Sequence, residues 1–196
     1  MNQSLHLFFG LQSTPLELIS FSLSLIMVLL TIRQNHWAWL FSILASGLYA
    51  SVFFQAKLYG DMSLQFVFIV VSVLGWRQWL RGRDELNTAM LVTRLSARSM
   101  MNAGLACLIL FLLLWTFLKT YTDTDVPMAD GFLTAGSLLG QVLLARKKLE
   151  NWLVWIAVDV LYVLLYVYKD LHLTAILYGI FVVMAVQGYR TWNKEL

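Results

Sequence analysis

Charge is scarce in this chain. Only 13% of its 196 residues are Asp, Glu, Lys or Arg, and 60% are apolar, whereas soluble domains carry about 25% charged residues. One aqueous core could not hide that much apolar surface, so the expected solvent is lipid. Cysteine is nearly absent as well. Cys107 stands alone in an apolar run, which excludes a disulfide framework. The sequence contains no His/Glu metal pattern, no CxxC pair, no glycine-rich phosphate loop and no Ser/His/Asp set. Enzyme chemistry, a metal and a cofactor therefore have no motif to rest on. The last apolar run has no lysine at mid-depth, which excludes a retinal Schiff base. The N-terminus lacks the basic start and cleavage site of a signal peptide, so the first apolar segment is expected to persist in the mature protein.

What is present is a series of apolar runs, at about 16–32, 37–55, 62–80, 103–119, 129–145, 152–168 and 173–190. Each approaches the ~20 residues that a helix needs to cross the hydrocarbon, and a chain in lipid must satisfy its backbone internally. The predicted fold is an all-α integral membrane protein of seven transmembrane helices in a single membrane domain. The connections are short except 81–102, which holds much of the charge. Eleven of the 14 Lys and Arg residues fall on one side of the alternating spans, among them Arg81, Arg83, Arg94, Arg98, Arg146 and Lys148, and only Lys57, Lys119 and Lys169 on the other. By the bias of basic residues toward the cytoplasm, the C-terminus is expected inside and the N-terminus outside. The same bias accounts for the net charge of +3 without nucleic acid.

The chain repeats itself. Residues 39–79 align without a gap to 152–192 at an offset of 113, with thirteen of 41 positions identical. Trp39 matches Trp152, Tyr49 matches Tyr162, and Gly75, Arg77 and Trp79 match Gly188, Arg190 and Trp192. The first and fifth spans follow more weakly, through Leu25 with Leu138 and Arg33 with Arg146. The layout is two three-helix repeats, about 16–80 and 129–190, joined by a linking helix at about 103–119. The extra helix restores the direction of the second copy, so the repeats are parallel (3+1+3), a plan also used by the sugar-carrying SWEET transporters.

The sixth span carries an anomaly. Trp152, Trp155, Asp159, Tyr162 and Tyr166 recur at spacings of three and four and so share one helical face. An acid at that depth costs at least ~2.5–3.5 kcal/mol on insertion scales, and no mid-span Lys or Arg is available to pair with it. Large rings attract cations through their quadrupoles at ~0.5–2 kcal/mol each. Tryptophan, tyrosine and one carboxylate therefore suit a flat, positively charged ring. Thr134, Ser137 and Gln141 form a polar face with Asp130 on the fifth span. Gln65 lies near the middle of the third, Asp61 at its outer mouth, and Tyr178 joins the set from the seventh. Each has a plainer reading. Trp152 and Trp192 can be interfacial belt residues, Thr134 and Ser137 can bond their own helix, Gln65 can be a helix–helix contact, and Asp159 can be held by protein partners.

"NWLVWIAVD", "LYVYKDLHLTAILY" and "GYRTW", with "LYGDMSLQF" and "GWRQW" in the first half, resemble the Pnu-type bacterial vitamin transporters over roughly 31–192. The resemblance implies the 3+1+3 fold and a multi-pass place in the bacterial inner membrane. It also implies a homotrimer with one site per protomer, and facilitated diffusion of a vitamin that a cytosolic kinase then traps by phosphorylation. Members carry nicotinamide riboside, thiamine or riboflavin. In riboside carriers the sixth-span motif is a tryptophan followed four residues later by asparagine. Trp155 matches the tryptophan, Asp159 stands at the asparagine position, and Gln65 matches a substrate-binding glutamine. The Asp for Asn exchange and the short chain favour thiamine as the substrate, with nicotinamide riboside as the alternative and riboflavin, neutral and larger, behind both. A membrane protein that binds the vitamin without moving it is the remaining rival.

Overall fold

Each apolar run can close its backbone hydrogen bonds only within itself when no water is near, and in the computed structural model each one is a helix. The described residues are 5–6, 12–13, 15–55, 59–81, 90–168 and 172–196. Leu5–His6 (β1) and Gln12–Ser13 (β2) pair antiparallel ahead of the helices. The helices are α1 (Pro15–Ile32), α2 (Ala38–Gln55), α3 (Tyr59–Arg81), α4 (Ala97–Tyr121), α5 (Pro127–Ala145), α6 (Asn151–Tyr168) and α7 (His172–Asn193). Six begin within three residues of the hydropathy boundary. The exception, α4, starts at Ala97 rather than near 103, because its first turns are polar but well capped. Ser96 Oγ accepts from the Ser99 amide at 3.2 Å, filling one of the orphan donors that every helix start leaves.

The helices form two compact units, Met1–Ala89 and Met90–Leu196. In the first, α1 packs on α2 and α2 on α3. In the second, α4 packs on α5, α5 on α6 and α6 on α7.

The internal geometry of the units repeats as the sequence does. In the first, Trp39 meets Trp79 edge-on with ring centroids 5.4 Å apart. In the second, Trp152 meets Trp192 edge-on at 5.3 Å. Both contacts need a glycine. A methyl at Gly75 would lie 2.5 Å from the Trp39 ring, and one at Gly188 would lie 2.6 Å from the Trp152 ring. An interfacial belt place for Trp152 and Trp192 is thereby overturned. Their rings fill the α6–α7 seam and are 2% and 0% exposed.

The turns repeat as well. α1 ends with Gln34 at φ 53° and α5 with Lys147 at φ 48°. In each, the left-handed residue and its successor bond back onto the helix. Gln34 donates to the Thr31 carbonyl and Asn35 to that of Leu30, both at 2.9 Å, while Lys147 donates to Leu144 at 2.9 Å and Lys148 to Leu143 at 3.0 Å. This is the Schellman closure of a helix end. It holds two side-chain-bearing residues in a conformation that costs roughly 1–2 kcal/mol.

Among the described residues, only the second unit has a strap across its turn. The Thr93 amide donates to the Lys147 carbonyl at 3.1 Å, and the Leu149 amide to that of Thr93 at 3.0 Å. The Lys147 ammonium donates to the Met90 carbonyl at 2.9 Å, and the Leu95 amide to Glu150 Oε2 at 3.0 Å. Arg94 reaches Asn193 Oδ1 at 2.7 Å. Residues 90–96 thus tie the start of α4 to the α5–α6 turn and the end of α7.

Candidate substrate site

Asp159 is buried on α6, 4% exposed, so the carboxylate does not face lipid. Among the described residues none donates a hydrogen bond to it. One helical turn on, Tyr162 is half-buried. Its hydroxyl has Tyr166, Ser137 of α5, Asp130 and Asp159 as electrostatic neighbours. Tyr162 stacks on Tyr166 with planes 12° apart and centroids 5.6 Å apart, and it meets Tyr178 of α7 at 4.7 Å. Tyr178 also touches Tyr166 at 5.1 Å. One turn on the other side of Asp159, the half-buried Trp155 lays its indole against α5, where a methyl at Gly140 would come within 3.0 Å of Cε2.

The second unit thus gathers Trp155, Asp159, Tyr162, Tyr178 and Ser137 around the α5–α6 seam. Gln141, also buried, and the half-buried Thr134 share the α5 face of Ser137 by spacing. Trp152 shares the α6 stripe, but its ring is committed to Gly188 and Trp192, and its Nε1 has no partner among the described residues. Gln65 lies half-buried on α3 of the first unit. At the offset of 113 its counterpart is Tyr178. Asp61 is on α3, and its side chain lies outside the described residues. No group of three His, Cys, Asp or Glu side chains that could hold a metal occurs among the described residues.

The first unit lacks the charge at the matching position. Ser46, buried on α2, stands where the second unit has Asp159. Ser42 stands where it has Trp155, and bonds Ser72 of α3 at 2.9 Å between hydroxyls. Sequence reasoning missed this pair, and it missed the glycines of α5. The spacing Gly136-x-x-x-Gly140 is the signal that could have found them, since small residues four apart let membrane helices approach closely.

With the seam and the helix order in view, the comparisons with known proteins decide the family. The profile of the nicotinamide mononucleotide transporter family matches residues 14–194. The chain belongs to that family. The nicotinamide riboside transporter PnuC of Escherichia coli K12 is 22% identical over 176 residues, covering 78% of this chain and 74% of the relative. The riboflavin/roseoflavin transporter RibM of Streptomyces davaonensis is 26% identical over 178 residues, covering 90% and 83%. The crystal structure of the vitamin B3 transporter PnuC superposes with a TM-score of 0.74 at 24% identity, over 91% of this chain and 80% of that one. The fold is therefore that of an integral, multi-pass membrane transporter, helical throughout its spans, with seven helices among the described residues. A PnuC-type vitamin transporter, and not an enzyme, is what this membership establishes. Thiamine, favoured by the sequence reading, is not supported by these relatives, whose names give nicotinamide riboside and riboflavin.

Proposed function

We propose that this protein carries nicotinamide riboside across the bacterial inner membrane by facilitated diffusion. The observation that carries the reading is Asp159, a buried carboxylate to which no described residue donates a hydrogen bond. Along α6 it stands one turn from Trp155 and one turn from Tyr162, whose ring meets those of Tyr166 and Tyr178. Nicotinamide riboside is a cation with a flat pyridinium ring. Such a ring gains from stacking on Trp155 and from aromatic faces, and its charge offsets the cost of the acid. Tyr162, Ser137, Thr134 and Gln141 supply hydroxyl and amide groups for the ribose and the carboxamide. The bias of basic residues supports a cytoplasmic α5–α6 turn and C-terminus, and the vitamin then arrives from the side opposite the strap. A cytosolic kinase then retains it as the phosphate, and the working assembly is a trimer. A RibM-like cargo is the second reading, favoured by the 90% coverage of that match. The neutral isoalloxazine of riboflavin brings no positive charge to Asp159.

Calorimetry on the purified protein with nicotinamide riboside, riboflavin and thiamine tests the assignment. The riboside should bind tightest, and Asp159→Asn should weaken it by about 1–3 kcal/mol, the scale of a hydrogen bond to a charged group. Equal affinity for riboflavin in both proteins would transfer the assignment to the second reading. Uptake of labelled riboside into empty liposomes separates a carrier from a protein that only binds.

A further inference from the structure

We propose that Gly140 is a positioning residue for the substrate ring. It is the floor of a slot in α5 that sets the plane of the Trp155 indole. The inference rests on the reading of Trp155 as the ring-stacking residue. A Cβ at position 140 would meet three atoms of that indole, Cε2 at 3.0 Å, Nε1 at 3.2 Å and Cδ2 at 3.3 Å. The five-membered ring, with its fusion bond, rests on this one backbone position. Four residues earlier, a Cβ at Gly136 would lie 2.7 Å from Val158 Cγ2, so α6 sinks two successive side chains into α5. The first repeat inverts this bulk. At the offset of 113, Met27 and Leu23 replace Gly140 and Gly136, while Ser42 and Ala45 replace Trp155 and Val158. Large residues lie on α1 in one copy and on α6 in the other. The glycine thus goes with the tryptophan rather than with the helix pair as such. With the indole laid on α5, its other face is turned away from that helix, and a pyridinium stacking there depends on the depth of the slot.

The test uses the full chain, with nicotinamide riboside as the calorimetric probe and thermal unfolding alongside. Gly140→Ala should weaken binding about tenfold, since the indole must shift by a few tenths of an ångström. Gly131→Ala is the control. Its Cβ would also come within 3.0 Å of a neighbour, the Trp115 backbone of α4, so it crowds the same unit away from the ring and should leave affinity within twofold. In the double variant Gly140→Ala/Trp155→Phe the smaller ring clears the new methyl, and binding should be no worse than in Trp155→Phe alone, which marks the two positions as coupled. The proposal is overturned if Gly140→Ala binds within twofold of the unaltered protein while Trp155→Phe does not. It is equally overturned if Gly131→Ala loses as much as Gly140→Ala. If Trp155→Phe itself binds unchanged, the stacking role of Trp155 falls, and the slot falls with it.

Discussion

Trp152 stands edge-on to Trp192, with ring centroids 5.3 Å apart and planes at 86°. Trp39 and Trp79, at the equivalent positions of the first repeat, hold the same relation at 5.4 Å and 88°. Each pair closes over a glycine, and the first prediction concerns that closure.

Gly188→Ala places a methyl 2.6 Å from the Trp152 ring. The expected loss is about 1–3 kcal/mol from overpacking, read as a lower midpoint of unfolding in detergent. Gly75→Ala should behave alike in the first unit. Gly179→Ala meets nothing within 4 Å and should be neutral or gain up to ~1 kcal/mol from helix propensity.

Asp159 sets function against stability. Asp159→Leu removes a buried acid that no described residue supports, so unfolding should shift upward by on the order of 2–3 kcal/mol. Riboside binding should vanish in the same protein. Calorimetry and thermal unfolding on one preparation check both, and a less stable Asp159→Leu would show that the carboxylate holds the bundle together.

The Ser42–Ser72 pair of hydroxyls, 2.9 Å apart, predicts non-additive losses. Ser42→Ala alone removes the bond between α2 and the Ser72 hydroxyl of α3 at a cost of about 0.5–1.5 kcal/mol. Ser42→Ala/Ser72→Ala should cost less than the sum of the two single changes. Denaturation of the four proteins measures the coupling.

Lys147 predicts a pH dependence. Burial lowers its pKa below the ordinary 10.5, and the negative charge of Glu195 raises it in part. Between the lowered folded value and 10.5 the unfolded chain binds more protons than the folded one. Stability should therefore rise with pH through that window and be lowest below it, where the buried amine stays charged. Lys147→Met removes this slope but also the bond to the Met90 carbonyl. The signature is a flatter profile of unfolding midpoint from pH 7 to 10 in the variant than in the parent.

How much of this is legible in the sequence depends on what leaves a pattern. The spans are legible because lipid demands a continuous apolar run, and α4 escapes at its start because a capped polar turn breaks the run without breaking the helix. The offset of 113 is legible because Trp39, Gly75 and Trp79 recur as a set, and their common cause, a ring seated on a glycine, emerges only in three dimensions. Asp159 announces itself by its cost. The left-handed turns do not, because Gln34 and Lys147 are ordinary residues that carry no trace of their backbone angle. Glu150 and Arg94 read as loop charges, and their bonds to Leu95 and Asn193 join segments far apart in the chain. The sequence favours thiamine through Asp159 and the shortness of the chain, while the names of the relatives give nicotinamide riboside and riboflavin.

Each half carries its own tryptophan clasp and its own helix-ending turn, so neither borrows its internal closure from the other. A gene cut within the codons for 82–89 would then make two polypeptides that each complete their bundle without the sister. Co-production of the two pieces asks whether a carrier can be assembled from parts, as an ancestor with a single copy must have done by pairing with itself. In such an ancestor both members of the pair would have borne the same residue at the position of Ser46 and Asp159. The present division, hydroxyl in one half and acid in the other, requires two copies free to diverge.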